Sequence, residues 1–236
     1  MKKFLLLVVL LVGSVFLCNQ VEAIPTLQLD IADGAYDTGT KTIVATSDPF
    51  TLYALFLPDA KLTLVDTFYL VASLQPKNTA PGSYGSFDIN DGGLINDTVN
   101  VIADMAYGTP VLPEGTSPSH DAFPSWFARF DFNFSASDTT IAYDSQTDTG
   151  GIDPDPSGTM YYHAFVIDTT ALTSPYVIHF DLYAEHQNGG GHWVLDKAPY
   201  SHDAQSSVPE PATMLLFGTG LIGMAAIGRR KFRKKK

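Results

Sequence analysis

The sequence predicts an all-β protein whose main part is an antiparallel β-sandwich of jelly-roll type. Three observations predict it. Apolar and polar residues alternate with a period of two along much of the middle of the chain, as on a strand with one face in a core. These runs are short, and clusters of Gly, Pro, Asp, Asn and Ser, the residues of turns, separate them. Apolar residues at helical spacing are almost absent between the two ends.

The first segment, residues 1–23, differs in character from the middle of the chain. Lys2 and Lys3 precede an apolar run of 14 residues, 4–17. That run is shorter than the roughly 20 apolar residues of an ordinary transmembrane helix. It has the form of a secretory signal peptide, and Val21 and Ala23 place small residues where cleavage after Ala23 requires them. Cys18 offers a rival reading as a lipoprotein cysteine, but Leu17 before it is bulky for that signal. Cys18 is the single cysteine of the chain, and with the signal removed the remainder has no disulfide, thiolate ligand or cysteine nucleophile. Stability then rests on apolar burial, for which residues 24–205 are long enough to form one domain.

The charge of that domain is one-sided. Between residues 24 and 208 lie 23 acidic residues (the chain's 25 less Glu22 and Glu210) and five basic ones, Lys41, Lys61, Lys77, Arg129 and Lys197, which gives a net charge near −18. Such a domain repels nucleic acid and anionic lipid. Of the 23 acids, 21 are Asp, which favours turns over helices. Solvated Asp-rich loops and calcium sites both fit that bias.

The strands are predicted in order over residues 27–31, 42–46, 50–56, 67–74, 84–89, 94–103, 126–134, 159–167, 176–183 and 192–195. Two show the alternation most clearly. Trp126, Ala128, Phe130, Phe132 and Phe134 share one face opposite Phe127, Arg129, Asp131 and Asn133. Tyr176, Ile178, Phe180 and Leu182 alternate with Val177, His179, Asp181 and Tyr183, which reads as a half-buried strand. Two long loops interrupt the pattern, 108–124 with four prolines and 145–158 with the sequence SQTDTGGIDPDPSG. Long loops in a compact domain are functional or mobile. Residues 203–208 read as a polar spacer to the C-terminal segment.

The candidate chemistry is sparse. Asp88 to Gly93 has the look of a calcium loop, but Gly92 and Val99 stand where an EF-hand needs a carboxylate or amide and a Glu, so a turn rich in Asp and Asn is the better reading. Asp144, Asp148, Asp153 and Asp155 form a second calcium candidate, against the plainer reading of a solvated loop. No other cofactor is implied. His179 and Asp181, two apart on a strand, share a face, and His186 and His192 flank the 189–191 glycine turn. A metal or acid–base site built on them has no HExxH or similar spacing behind it. The chain has no Gly-x-Ser-x-Gly elbow, and aromatic residues able to stack on sugars are as readily core packing.

The last segment, 206–236, has three parts in a fixed order. Pro209, Glu210 and Pro211 come first, and the prolines keep that stretch out of a helix. Residues 212–228 are 17 uncharged, mostly apolar positions, predicted as a single transmembrane helix about 25 Å long. Arg229, Arg230, Lys231 and Arg233 lead the basic end, 229–236, which stays cytoplasmic and so leaves the acidic domain outside. A plain anchor would explain the span and the charge. The ordered triplet, span and basic end resemble the PEP-CTERM sorting signal. That resemblance implies recognition by an exosortase in a Gram-negative host, often one that makes exopolysaccharide. The motif also goes under the label of an ice-binding protein C-terminal domain, although no residue pattern here points to ice. The middle of the chain resembles the choice-of-anchor N family, in IPTLQLDIADGAYDTGTKTIVATSDPFTLYAL at its start, in residues 161–185, and in APYSHDAQ at its end. That family implies export and anchoring, with no activity to carry over.

The expectation is a non-enzymatic cell-envelope or extracellular-matrix protein, structural or associated with exopolysaccharide. Signal peptidase and exosortase would process it by way of a precursor held in the inner membrane. A carbohydrate- or calcium-binding surface module is the alternative, and a hydrolase a third.

Overall fold

The computed structural model describes residues 23–80, 82–117, 120–147 and 151–207. Residues 1–22 of the signal segment, the Pro209-Glu210-Pro211 triplet, the 212–228 span and the basic end lie outside the described residues, as does Asp148. Among the described residues no helix is long and apolar enough to cross a membrane.

Two sheets face each other around one apolar core. The smaller sheet runs β1 (Leu27–Ile31), β4 (Phe50–Phe56), β11 (Met160–Asp168), β6 (Ser86–Asn90) and β7 (Asn96–Asn100), with β10 (Thr139–Thr140) also on β11. The larger runs β2 (Ala35–Asp37), β3 (Thr42–Val44), β14 (Asp203–Gln205), β12 (Val177–Gln187), β5 (Thr67–Gln75), β9 (Ser125–Phe132) and β8 (Ala106–Gly108), with β13 (Trp193–Lys197) beside β12. Every pairing is antiparallel except β14 with β3. The chain passes repeatedly from one sheet to the other, which is the sandwich the alternation predicts. Phe56, Phe68, Phe132 and Phe134 meet in the core with centroid separations of 4.7–6.1 Å.

The structure corrects the sequence reading in three places. Residues 94–103 are not one strand: β7 ends at Asn100 and a one-turn helix, Val101–Asp104, buries Val101. Residues 203–208 are not simply a spacer, because β14 lies inside the larger sheet and Ser206, fully buried, exchanges hydrogen bonds with the Ile178 backbone. A three-residue strand paired through long-range contacts leaves no local periodic signal. And β12 is not half-buried. Ten of its eleven residues are buried, so both faces are covered.

The cover on the outer face of β12 is the proline-rich loop. Leu112, Ala122 and Phe123 pack on Tyr69, Val71 and Tyr183 as a second, smaller apolar cluster on the outside of the larger sheet. Burying Leu112 and Phe123 contributes roughly 1.5–3 kcal/mol each, which offsets part of the entropy of ordering the loop. Gln75 Nε2 and Lys77 Nζ donate to the Ala122 and Phe123 carbonyls at 3.0 and 3.1 Å, and Ser125 Oγ to the Leu74 carbonyl at 2.6 Å. The stretch that holds Tyr143 and Ser145 does the same for β1. Tyr143 Oη donates to Asp30 Oδ2 at 2.7 Å, and Gln28 bonds Tyr143 O and Ser145 N, so both polar side chains of β1 are buried and satisfied.

Candidate functional site

β12 supplies the centre of the site. Its alternation sends Ile178, Phe180, Leu182 and Ala184 into the main core and leaves His179, Asp181, Tyr183 and Glu185 on the outer face. On a bare sheet those four would meet water. Here the 109–124 loop buries them. Glu185 anchors the loop by accepting hydrogen bonds from Thr116 Oγ1, from Glu114 N at 3.5 Å and from Tyr69 Oη at 3.3 Å. Burial, and then the Glu185 charge, push the Tyr69 phenol up to about 12.

The same loop brings His120 over His179, with ring centroids 5.3 Å apart and planes at 18°. β14 brings Asp203: its register places Gln205 opposite His179 and Ala204 opposite Phe180, which carries Asp203 alongside Asp181. Two carboxylates thus stand side by side on neighbouring strands with side chains 3% and 2% exposed. Two imidazoles face them. His120 Nδ1 lies 3.3 Å from Asp181 Oδ1 and His120 Nε2 3.3 Å from Asp203 Oδ2. His179 Nε2 lies 3.6 Å from Asp181 Oδ1 and 3.7 Å from Asp203 Oδ2. One donor atom from each of the four residues falls within 4.8 Å of all the others.

Burial alone pulls the His179 imidazole down, but Asp181 and then Asp203 outweigh it and hold its pKa at about 10. The Tyr183 phenol beside them is pushed well up by burial, and then by the charges of Asp181 and Asp203, so it stays protonated. His179 Nε2, Asp181 Oδ2 and Asp203 Oδ2 are buried and make no hydrogen bond. The group opens on one side into a cleft of about 910 Å³, lined by His120, His179 and Asp203 together with Thr42, Gln75 and Gln205.

Such a donor set can hold a cation or move a proton. Among the described residues no serine or threonine hydroxyl bonds His120 or His179. A Ser–His–Asp chain exists elsewhere: Ser201 Oγ is 2.9 Å from His202 Nδ1, and His202 Nε2 is 3.0 Å from Asp144 Oδ1. His202 is only 4% exposed, and neither it nor Ser201 lines the cleft, so this chain ties the turn before β14 to the 141–147 loop.

The other sequence candidates fall into separate places. Asp88 to Asn90 end β6 and Asp91 to Gly93 open the β6–β7 turn, where Asn90 Oδ1 accepts from Gly92 N and Asp91 Oδ1 from Gly93 N and Ile95 N. Asp144 accepts from Gln146 N and faces His202, Asp155 accepts from Ser157 N and Oγ, and Asp153 is exposed. His186 pairs with Asp196 at 2.7 Å across the β12–β13 hairpin, apart from His192 in the turn. Sequence reasoning brought His179 and Asp181 to one face and missed His120 and Asp203. The available signal was a His-x-Asp pair on the polar face of a strand, with one histidine in the proline-rich loop and an Asp in SHDAQ.

Comparison with known proteins decides one end of the chain. Residues 207–234 match the PEP-CTERM protein-sorting motif. A chain carrying this signal is exported and sorted by an exosortase to the cell surface, with signal peptidase acting on the way. The match begins two residues after β14 ends. No curated protein matches the chain. Three solved structures resemble it with a TM-score of 0.27 each. The collagen-binding subdomain ACE19 of the Enterococcus faecalis surface protein ACE is 7% identical, with 79% of this chain and 99% of that one covered. The E. faecalis MSCRAMM ACE, described as binding its ligands by the collagen Hug model, is 8% identical, with 80% and 52% covered. The collagen-binding domain of the Erysipelothrix rhusiopathiae surface protein RspB is 9% identical, with 79% and 47% covered. The chain spans about half the length of the second and third.

Proposed function

We propose that this protein is a non-enzymatic component of the cell envelope or extracellular matrix. Its domain, of the choice-of-anchor N type, would be delivered to the surface through a precursor held in the inner membrane. The sorting motif at 207–234, directly behind the last strand of the sandwich, carries this reading. Pro209 and Pro211 favour an extended chain that a protease can grip. Glu210 is the only acid of the terminal segment, and a simple anchor has no use for it. Glu210→Ala should leave export intact and block processing in a host that has an exosortase. The variant should accumulate in the inner membrane at the mass of the chain without its signal peptide. Processing of this variant at the wild-type rate would overturn the reading.

The cleft supports an association with exopolysaccharide. Its wall carries neutral hydrogen-bonding side chains, Thr40, Thr42, Gln75 and Gln205, of the kind that bind sugar hydroxyls. Polysaccharide from the producing strain should be retained by the protein and released by Gln75→Ala with Gln205→Ala. Equal retention by that double variant would separate the polysaccharide from the cleft.

A further inference from the structure

We propose that His120, His179, Asp181 and Asp203 bind one divalent transition-metal ion of the zinc class, and that the ion fastens the 109–124 loop and strand β14 to β12.

Charge gives the first reason. Like charges directly opposite on neighbouring strands destabilise a sheet, and buried carboxylates need compensation. Asp181 and Asp203 are both, and among the described residues neither forms an ion pair with Lys or Arg. One divalent ion between them balances both carboxylates.

Geometry gives the second. A tetrahedral zinc site with bonds of about 2.0–2.1 Å has donor-to-donor edges of roughly 3.3–3.4 Å. With His120 Nε2 as the donor, its edge to Asp203 Oδ2 is 3.3 Å, the His179 Nε2 edges to Asp181 Oδ1 and Asp203 Oδ2 are 3.6 and 3.7 Å, and one donor atom from each of the four residues lies within 4.8 Å of the others. These edges are long for charged hydrogen bonds, which run about 2.7–2.9 Å, and they suit donors that share an ion. One nitrogen of His120 serves, and its other nitrogen stays beside a carboxylate of the cluster at 3.3 Å.

The third reason is that the donors are unspent. His179 Nε2, Asp181 Oδ2 and Asp203 Oδ2 are buried and make no hydrogen bond, on side chains 9%, 3% and 2% exposed. Buried polar atoms are normally satisfied, and two of these orphans, His179 Nε2 and Asp203 Oδ2, face each other in the cluster at 3.7 Å, which indicates a missing partner. Two imidazoles with two carboxylates suit zinc and its neighbours in the transition series, whereas calcium and magnesium prefer oxygen donors throughout.

The arrangement also explains what the ion would do. The four donors come from a loop and two strands, and four protein ligands make a closed, structural set. Beyond its signal segment the chain has no cysteine, so no disulfide can hold β14, the strand that adjoins the sorting motif. A metal cross-link does that work outside the cell.

The test uses the full chain, exported and purified in detergent, stripped with chelator and reloaded. After gel filtration, zinc-loaded protein should retain one equivalent of zinc per chain, and cobalt-loaded protein should show the intense visible bands of four-coordinate cobalt. Zinc should raise the melting temperature, and calcium and magnesium should not. Asp203→Asn and His120→Gln should each weaken zinc binding by about 100-fold or more, while His192→Gln should not. His120 lies in the loop, so its variant keeps the sheet intact if Asp203→Asn fails to fold. Zinc retained in amounts far below one equivalent, or held equally well by His120→Gln, would overturn the proposal. Sorting is read from the mass of the terminal segment, so failure here leaves that reading untouched.

Discussion

Asp181 and Asp203, on adjacent strands of the larger sheet, share one imidazole: His179 Nε2 lies 3.6 Å from the first carboxylate and 3.7 Å from the second. The contact joins the longest strand of the domain, β12, to its last, β14. Removing one side of it should be costly. Asp181→Ala leaves a buried imidazole and a buried carboxylate poorly matched, and such changes cost about 3–5 kcal/mol. Urea unfolding in chelator at neutral pH should show a loss of that size. A loss below about 1 kcal/mol would mean that the cluster is solvated and not buried.

Glu185 should govern the loop without touching the His/Asp group. Its carboxylate receives Thr116 Oγ1, Glu114 N and Tyr69 Oη. Glu185→Leu strands those donors, at about 1–3 kcal/mol for each one left buried. Limited proteolysis should then cut within 109–124 faster than in the wild type, with the sheets intact by circular dichroism. Equal cutting rates would show that Leu112 and Phe123 hold the loop alone.

His163 sets an acid-side pH dependence. Burial pulls its imidazole below the ordinary 6.5, against the charges of Asp91 and Asp138. Its ring packs 4.8 Å from Phe132 and 4.7 Å from Phe165, with Asp91 Oδ2 at 3.4 Å. The unfolded chain takes up the proton more readily than the folded one. The resulting stability is complete above pH 6.5 and is lost as pH falls through the lowered folded value. His163→Phe should flatten the fall of the urea midpoint between about pH 7 and 5. An identical slope in both proteins would assign the acid sensitivity to other groups.

Calcium and zinc should separate the two cation candidates. Asp144 and Asp155 already accept hydrogen bonds from Gln146 and Ser157, and zinc is expected at His179. Melting temperature should rise with zinc and stay level at about 10 mM calcium, a saturating level for weak extracellular sites. A chelator-reversible rise with calcium, abolished by Asp153→Asn with Asp155→Asn, would place a calcium site on the 141–159 loop instead.

Much of the fold was legible in the residues because the core strands repeat with a period of two. β1 and β4 run over the residues their pattern predicts, 27–31 and 50–56. The inward face of β9, from Trp126 to Phe132, does pack on the main core. Of the shortest strands, β3 falls within the predicted 42–46, and the others were not legible. β2, β8, β10 and β14 hold two or three residues each, too few for a period, and their pairing is set by distant partners. The site was half legible for the same reason. His179 and Asp181 share a face by simple alternation, but His120 reaches them through a loop that packs on Tyr69 and Tyr183. Asp203 reaches them through a strand held parallel to β3, and neither relation has a local signature.

The most direct measurement is diffraction from zinc-loaded protein on both sides of the zinc absorption edge. One anomalous peak is expected, about 2.0–2.2 Å from a nitrogen each of His120 and His179 and an oxygen each of Asp181 and Asp203. Side chains in these positions with no anomalous peak between them, or a peak elsewhere in the domain, would contradict a metal cross-link at β12.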